Sequence, residues 1–339
     1  MRIDDSPFGD SLAETIFTDI SIRMPSAGKK TLCQLQGVPG CPPLVAVPGN
    51  LEQDAEQLAQ LLLGVSSNRR EFALRFQNVG YRCCRLKTSD GLTWFILRRV
   101  PDVLPDLWNP FWGFPPLLAD LIITSGATSG LVLVAGQGRN GKSVTAVASY
   151  VGVLSRRGGR ALAIEDPVEF DLNQMIGPCG QSMQIDFSGT ETELAATLKG
   201  AFRISGNLAY IGEIRSPDVA AEVMRFATGA FTVVSTIHSA PDPISAIQRL
   251  VALLTPGMGV EVARELVGGT LNAVICQTLL DENGRRQPQF NPLFIRTRPD
   301  VHSADVERNL RRAISAGTFV AVENQMSYQS QRLRLLSQE

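Results

Sequence analysis

Residues 136–143 have the residue types and spacing of a phosphate-binding loop. The sequence Gly-Gln-Gly-Arg-Asn-Gly-Lys-Ser matches the pattern GxxxxGK[ST]. Glycines let backbone N–H groups turn toward a phosphate, and the N-terminus of a following helix adds positive potential. A glycine-rich turn without a ligand is the alternative, but an apolar run precedes the segment and a helix-like run at 144–154 follows it. The sequence therefore predicts nucleotide binding by Gly136, Gly138, Arg139, Asn140, Gly141, Lys142, Ser143 and Val144.

Two side chains of this loop have the most specific expected contacts. Lys142 would reach the β- and γ-phosphates, and the hydroxyl of Ser143 would ligate Mg²⁺. The expected cofactor is therefore Mg²⁺ bound together with ATP.

Acidic residues stand at the ends of two further apolar runs. Glu165 ends the run 161–165, and Glu213 follows the run 208–212. Hydrolysis of a nucleotide needs a carboxylate that orients a water molecule and another that holds the metal shell. A solvated turn or a helix N-cap would explain either acid alone. Their joint occurrence with a phosphate-binding loop favours hydrolysis.

His238 follows a fourth apolar run, at 231–237, and is one of only 2 histidines. A single histidine usually serves packing or a surface hydrogen bond. At a strand end it can instead hydrogen-bond to a γ-phosphate. Both interpretations stay open from spacing alone.

The elements that would position these residues alternate between strands and helices. Strand-length apolar runs at 131–135, 161–165, 208–212 and 231–237 are separated by helical stretches. Such runs are typical of strands buried on both faces, so we expect a mostly parallel sheet flanked by helices. The predicted fold class is α/β.

The N-terminal part has a different pattern. Residues 1–50 are broken by proline and glycine, which favours extended or loop structure. An amphipathic helix is predicted over 51–63, and antiparallel strands are predicted over 71–76, 80–86 and 93–100. These elements indicate a smaller α+β domain.

Proline density then marks a linker between the two parts. Prolines recur through residues 101–116, where they remove backbone donors that a helix or sheet would need. The predicted domains are 1–100 and 117–339, joined by the linker 101–116.

Composition excludes several classes of protein. The chain has 339 residues, 44% hydrophobic and 19% charged, which is typical of a folded protein and not of a disordered or fibrous one. Lys+Arg 32 against Asp+Glu 33 gives a net charge of −1, so no direct nucleic-acid partner is expected. No signal peptide or membrane anchor is evident, which predicts a cytoplasmic chain. The 6 cysteines form no CxxC pair and are expected to be buried, reduced thiols.

Four ordered segments resemble the secretion and traffic ATPases of type II and type IV secretion, type IV pili and conjugation. The phosphate-binding loop is the first, and residues 164–170, Ile-Glu-Asp-Pro-Val-Glu-Phe, resemble the aspartate box of that family. Residues 211–215, Ile-Gly-Glu-Ile-Arg, resemble its Walker B box. Residues 235–238, Ser-Thr-Ile-His, followed by Arg249, resemble its histidine box. The resemblance covers roughly residues 70–315.

The resemblance implies a RecA-like ATPase core behind a PAS-like N-terminal domain, assembled as a homohexamer. Glu213 would polarise the attacking water, Glu165 would be a second carboxylate near water and Mg²⁺, and His238 would read the γ-phosphate. An inner-membrane protein of a pilus or secretion machine would be the partner, at the cytoplasmic face of that membrane. In such rings arginines of the N-terminal domain complete a neighbour's nucleotide site. Arg82, Arg98 and Arg99 lie in the matching strands, although each could equally be a solvated strand residue. Arg203 and Arg215 are further candidate arginine fingers.

Some positions depart from the family pattern. Gly206 and Asn207 stand where the family has a Pro-Asp pair, so a water-mediated Mg²⁺ contact could be lost and turnover lowered. Gln137, Arg139 and Val144 are unusual within the loop. Asn207 motivates a second hypothesis, a catalytically weak, nucleotide-dependent scaffold. A RecA-like nucleic-acid motor is a third, against which the near-neutral charge argues.

Two features bear on the branch of the family. Residues 307–312, Glu-Arg-Asn-Leu-Arg-Arg, resemble the C-terminal signature of pilus-retraction ATPases. The four-cysteine zinc motif of the pilus-assembly and type II secretion branch is absent from the sequence. Both favour the retraction or type IV secretion branch.

Overall fold

The computed structural model describes residues 7–25, 31–65, 70–101, 103–187, 190–201, 206–282, 285–297 and 303–336. The chain divides into two compact units. The first contains Met1–Val103, Asp166–Asp171 and Asp186–Ser188, and the second contains Leu104–Glu165, Leu172–Ile185 and Gly189–Glu339. Each unit has its own sheet.

An antiparallel sheet forms the body of the first unit. Its strands β1 to β6 are Asp19–Arg23, Leu32–Gln36, Leu44–Ala46, Glu71–Phe76, Val79–Lys87 and Thr93–Arg99, and helix α1 is Glu52–Gly64. The strand order is β3-β2-β1-β6-β5-β4. α1 and the three strands predicted between residues 71 and 100 are confirmed.

Strands β1 to β3 lie in the stretch for which only extended or loop structure was expected. β1 pairs with β6, which places Ile20 beside Leu97, and both side chains are fully buried. A partner so distant in sequence is invisible to local patterns. The PAS-like character of this unit stays a prediction.

The second unit has a mixed sheet covered by helices. Strands β7 to β14 are Gly130–Gly136, Gly159–Glu165, Met175–Ile176, Gly180–Asp186, Leu208–Ile214, Thr232–His238, Leu271–Glu282 and Arg285–Phe294. Helices α2 to α9 are Pro116–Ser125, Lys142–Arg157, Glu191–Ala201, Pro217–Thr228, Pro243–Met258, Val260–Thr270, Ala304–Ala316 and Val320–Leu336. The mixed α/β architecture predicted from the sequence is confirmed.

A parallel block at the centre of this sheet positions the candidate residues. The strand order is β14-β13-β7-β12-β11-β8-β10-β9, and β13, β7, β12, β11 and β8 run parallel. Every residue of β7 is buried, as expected for a strand covered on both faces. Parallel strands bring their carboxyl ends to one edge, which is where ligands bind in open α/β sheets.

Much of the proline-rich stretch packs within the second unit. Leu107 and Phe114 are buried, and the Phe114 ring stacks 5.6 Å from that of Phe290. Asn109 caps a short 3₁₀ turn, Pro110–Trp112, by accepting a hydrogen bond from the Phe111 N–H. The boundary between the units lies at Val103 and Leu104, at the start of the expected linker.

The cysteine thiols are free but not uniformly buried. Cys83 and Cys276 are buried, whereas Cys179 is exposed, so the expectation of burial is wrong for Cys179. Burial, with a smaller effect of the Glu56 charge, raises the pKa of the Cys33 thiol to about 11. Burial also raises the pKa values of Cys83 and Cys276. Among the described residues, none of the helices is both long and apolar enough to cross a membrane.

Candidate functional site

The glycine-rich segment forms a tight loop between β7 and α3. Gly136 has φ +152°, Arg139 has φ +62° and Gly141 has φ +75°, all in the region that favours glycine. Gly141 is the N-cap of α3, and Lys142 is the first residue of that helix. The Lys142 Nζ donates to the Gln137 carbonyl oxygen across the loop at 2.9 Å. The loop thus lies at a helix N-terminus, as an anion site requires.

The three glycines of the loop face different surroundings. A Cβ at Gly136 would lie 2.5 Å from the carbonyl oxygen of Gln277, and one at Gly141 would lie 2.8 Å from the Gln277 Nε2. A Cβ at Gly138 would meet nothing within 4 Å. The absence of a side chain at Gly136 and Gly141 therefore lets strand β13 pack closely against the loop. At Gly138 it leaves open space for a ligand.

Strand register brings the other predicted residues to the loop's edge of the sheet. His238 on β12 pairs with Gly136 on β7, and Glu213 on β11 pairs with Thr236 on β12. Ile211 pairs with Ile164, so Glu165 ends β8 at the same edge. Neighbouring strands are about 4.8 Å apart. Counted from the loop, His238 is one strand away, Glu213 two and Glu165 three.

A β-bulge sets the position of Glu213. The register of β11 against β12 shifts between Ile211 and Glu213, leaving Gly212 as the extra residue. The Thr236 hydroxyl donates to the Gly212 carbonyl at 2.7 Å, and the Ser235 hydroxyl donates to the Ile211 carbonyl at 2.6 Å. Two buried hydroxyls of β12 therefore fix the backbone that carries the carboxylate.

Glu213 is partly exposed and ion-paired within its own turn. Its side chain is 26% exposed, and Arg215 Nε donates to its Oε2 at 2.8 Å. A carboxylate with this access can accept a hydrogen bond from water. Arg215, a candidate arginine finger, therefore has a local partner in this chain. His238, at the end of β12, is exposed.

Glu165 is a buried carboxylate in a polar cluster. It is 4% exposed, and the Gln184 Nε2 donates to its Oε2 at 2.6 Å. The Gln184 Oε1 in turn accepts a hydrogen bond from the Leu172 N–H at 3.0 Å. Burial raises the pKa of Tyr150, the Glu165 charge raises it further, and a hydrogen bond with Ser182 opposes the rise. Gln184 was not predicted from the sequence.

The N-terminal arginines differ in their contacts. Arg82 donates to Glu169 at 2.8 Å, and Arg98 donates to Asp19 at 2.9 Å with a side chain that is 72% exposed. Arg99 donates to two backbone carbonyls of its own unit, at 2.8 and 2.9 Å, and lies over the Phe17 ring. Arg99 therefore holds its own unit together. Arg203 lies outside the described residues.

Asn207 is not at the carboxyl edge. It immediately precedes β11, and its carbonyl accepts a hydrogen bond from the Thr232 N–H at the start of β12. Six residues of extended chain separate it from Glu213, a distance of about 20 Å. The expectation that Asn207 removes a water-mediated Mg²⁺ contact is wrong, because that position lies at the opposite end of the strand.

The segment 307–312 lies in α8 and packs on the end of α7. Arg311 Nη1 donates to the carbonyls of Gly268, Gly269 and Leu271 at 2.9, 2.9 and 3.2 Å. Its Nε donates to Glu307 at 2.9 Å. In this chain Arg311 therefore donates to carbonyls at and just beyond the C-terminus of α7, where a helix has carbonyls without intrahelical partners.

The oxygen donors of the site fit Mg²⁺ in the company of phosphates. Among the described residues, no group of three or more His, Cys, Asp or Glu side chains could hold a metal ion. Mg²⁺ in nucleotide sites takes one or two protein oxygens and otherwise phosphate oxygens and water. Ser143, in the first turn of α3, and the carboxylates of Glu165 and Glu213 are donors of that type.

Sequence comparison identifies the family. A family model described as type II/IV secretion system protein matches residues 119–332. The chain belongs to this family. The resemblance based on the four ordered segments is confirmed, and the matched region begins within α2 and contains the whole candidate site.

Three proteins resemble the chain, one in sequence and two in fold. The type IV pilus ATPase PilU of Pseudomonas aeruginosa is 26% identical over 267 residues, 73% of this chain and 67% of that protein. The pilus retraction motor PilT with bound ADP has a TM-score of 0.68 at 20% identity, covering 92% of this chain and 86% of that one. The Legionella pneumophila ATPase DotB gives 0.69 at 18%, covering 94% and 87%. These structures have the fold of this chain.

Proposed function

We propose that this type II/IV secretion family member is an ATP-hydrolysing motor with a RecA-like core that works as a homohexamer in a bacterial type IV pilus, conjugation or type IV secretion system. One observation carries the proposal. The phosphate-binding loop, His238, Glu213 and Glu165 occupy the carboxyl ends of β7, β12, β11 and β8, which are successive neighbours in one parallel sheet.

The positions of these residues suggest separate roles. Lys142 and the backbone of the loop bind the phosphates, and His238, on the adjacent strand, contacts the γ-phosphate. Glu213, two strands from the loop and partly exposed, polarises the attacking water. Glu165 is farther from the loop and buried, so it acts as the second carboxylate. Ser143 and Glu165 would hold Mg²⁺, which supplies neutralising charge on the phosphates when bound.

The arginine requirement supports assembly of several subunits. A γ-phosphate in the transition state needs a positive charge on its far side, and a neighbouring subunit can supply it. Arg98 is the most exposed of the described candidates of the first unit, and Arg82 is 37% exposed. The PAS-like first unit would present these arginines. The linker 101–116, at whose start the two units divide, would be the hinge that converts hydrolysis into motion. An inner-membrane component of the machine would hold the ring at the cytoplasmic face.

The scaffold hypothesis loses its argument. It rested on Asn207 as a missing metal contact, and Asn207 lies at the amino end of β11. The net charge of −1 continues to argue against a nucleic-acid motor.

The experiment that tests the proposal is ATP binding and hydrolysis by Lys142→Ala. Removing the ammonium takes away the charge that neutralises the β- and γ-phosphates, so the variant is expected to lose most ATP affinity and all turnover. Lys199→Ala is the matched control, because Lys199 is an exposed lysine in α4. Unchanged ATP affinity in Lys142→Ala would place the nucleotide elsewhere.

A further inference from the structure

Gln277 is a buried polar residue in an apolar strand beside the phosphate-binding loop. It is 3% exposed and follows Ala273, Val274, Ile275 and Cys276, which are all buried in β13. A polar side chain in such surroundings destabilises the fold unless it is hydrogen-bonded. The hydrogen-bond partners of Gln277 therefore indicate what this side chain does in the structure.

The sheet register brings Gln277 to the loop. β13 runs parallel to β7, and Cys276 pairs with Ala135, so Gln277 lies beside Gly136 at the point where β7 becomes the loop. The closeness is extreme, since the carbonyl oxygen of Gln277 would lie 2.5 Å from a Cβ at Gly136. The backbone of β13 is thus in contact with the first residue of the loop.

The side chain of Gln277 reaches the other end of the loop. Its Oε1 accepts a hydrogen bond from the Thr145 hydroxyl in the first turn of α3, and Thr145 is fully buried. Its Nε2 is the atom nearest to a Cβ built on Gly141, at 2.8 Å. Two residues farther along β13, the Leu279 N–H donates to the Asn140 Oδ1 at 3.1 Å. Strand β13 therefore contacts the start of the loop and the part near its end. It also contacts the first turn of α3, the helix that follows the loop.

Phosphate binding by backbone N–H groups depends on a fixed loop conformation. If the loop samples other conformations, the apparent affinity equals the intrinsic affinity multiplied by the fraction of molecules that are competent to bind. Arg139 is a non-glycine residue with a φ of +62°, so this loop conformation needs support from the surrounding structure. The contacts of Gln277 supply that support without occupying the open side at Gly138.

We infer that Gln277 is a positioning residue that holds the phosphate-binding loop and the first turn of α3 in the conformation that receives nucleotide. The inference rests on the proposed function, because it concerns how this chain binds ATP. Gln277 acts through Thr145 and the loop backbone.

Two leucine substitutions in the same hairpin test the inference. Gln277→Leu keeps the size of the side chain but removes the acceptor for Thr145, and it is expected to lower ATP affinity about tenfold. Gln289→Leu is the matched control, because Gln289 lies on the paired strand β14 and is exposed. The control is expected to bind ATP as the wild type does. Fluorescence titration with a labelled ATP measures both, and thermal unfolding verifies that each variant is folded.

Thr145→Val provides a second route if Gln277→Leu folds poorly. It removes the donor of the same hydrogen bond and is expected to lower ATP affinity by a similar factor. Gln277 and Thr145 act through one hydrogen bond. The ATP affinity of the double variant should therefore be no lower than that of whichever single variant binds ATP more weakly. Fully additive losses would overturn the inference.

A pH series with Gln277→Glu tests whether residue 277 lies close enough to the loop to act on bound phosphates. The introduced carboxyl can still accept from Thr145, but burial raises its pKa above the usual value for a glutamate. Below that pKa the group is neutral and ATP affinity should stay near the wild-type value. Above it, the buried negative charge beside the loop opposes the phosphates. The ratio of variant to wild-type dissociation constant should therefore rise with pH, and a ratio independent of pH would contradict the inference.

The outcomes distinguish this inference from the proposed function. If the wild type binds ATP and Lys142→Ala does not, the proposed site stands, and wild-type affinity in Gln277→Leu would then overturn the inference alone. If the wild type binds no ATP, both are overturned.

Discussion

Glu213→Gln is the substitution that most directly tests the chemistry of the site. The change keeps the size of the side chain and its ability to accept a hydrogen bond, but it removes the negative charge. If the carboxylate polarises the attacking water, hydrolysis should slow by about 10²–10⁴-fold, the range typical of a general base. That loss corresponds to a barrier raised by about 3–5 kcal/mol.

The same substitution should have little effect on folding. Glu213 has an ion pair with Arg215, whose side chain is 50% exposed, and pairs with that degree of exposure contribute about 0–1 kcal/mol. The bulge that positions residue 213 is held by backbone carbonyls and the hydroxyls of Ser235 and Thr236, which the substitution does not touch. The expected free energy of unfolding is therefore within about 1 kcal/mol of the wild-type value.

Phosphate release and ATP titration, measured side by side on the wild type and Glu213→Gln, provide the assay. The variant should bind ATP about as tightly as the wild type and remain in the ATP-bound state. Arg215→Ala is the control for the effect of the lost ion pair on folding, because it breaks the pair and leaves the carboxylate in place. Equal hydrolysis rates in wild type and Glu213→Gln would refute the role given to Glu213. Near-background hydrolysis by the wild type would instead support a scaffold.

The remaining predictions concern assembly and stability. Turnover per subunit should rise with protein concentration, and light scattering should show assembly over the same range. Because a neighbour supplies the arginine, Arg82→Ala should keep ATP affinity but lose turnover. Turnover that is independent of concentration in a protein that light scattering shows to be a monomer would contradict both. Arg99→Ala should lower the free energy of unfolding by about 1–3 kcal/mol in denaturant unfolding, since two backbone carbonyls lose their donor. Lys87→Ala, at an exposed position of β5, is the control and should change it by less than about 0.5 kcal/mol. Arg311→Ala should lower it by about 1–3 kcal/mol through the carbonyls at the end of α7, with the exposed Arg308→Ala as control; equal effects of the two would refute the capping role.

Local patterns were sufficient for much of the second unit. The runs that form β7, β8, β11 and β12 are apolar because strands of a parallel sheet are buried on both faces. Burial on both faces makes consecutive residues apolar, so a local pattern is enough to detect it. The loop could be predicted for a similar reason, because its glycines and lysine act within eight consecutive residues. The residues at the ends of these strands could be proposed as neighbours, since parallel strands end at one edge.

Contacts between distant segments could not be predicted in this way. β1 to β3 lie among prolines and glycines, and they join a sheet because β1 pairs with β6. Ile20 of β1 lies beside Leu97 of β6, which is more than seventy residues later in the chain. Gln277 could have been noticed as a polar residue in an apolar run, but its partner Thr145 lies 132 residues earlier. The error over Asn207 has a related origin, because the sequence places it near Glu213 while the extended strand separates the two.

The sequence by itself determined the phosphate-binding loop, the apolar strands and the family, because each depends on residues that act within one short segment. The tertiary structure decided that β12 lies between β7 and β11. That strand order sets how far His238, Glu213 and Glu165 lie from the loop, with His238 the nearest. It also decided that Arg99 and Arg311 bind backbone carbonyls and that Gln277 contacts the loop. Hydrogen-bond partners are selected by the packing of whole elements, so a side chain's type limits what it can bind but does not name its partner.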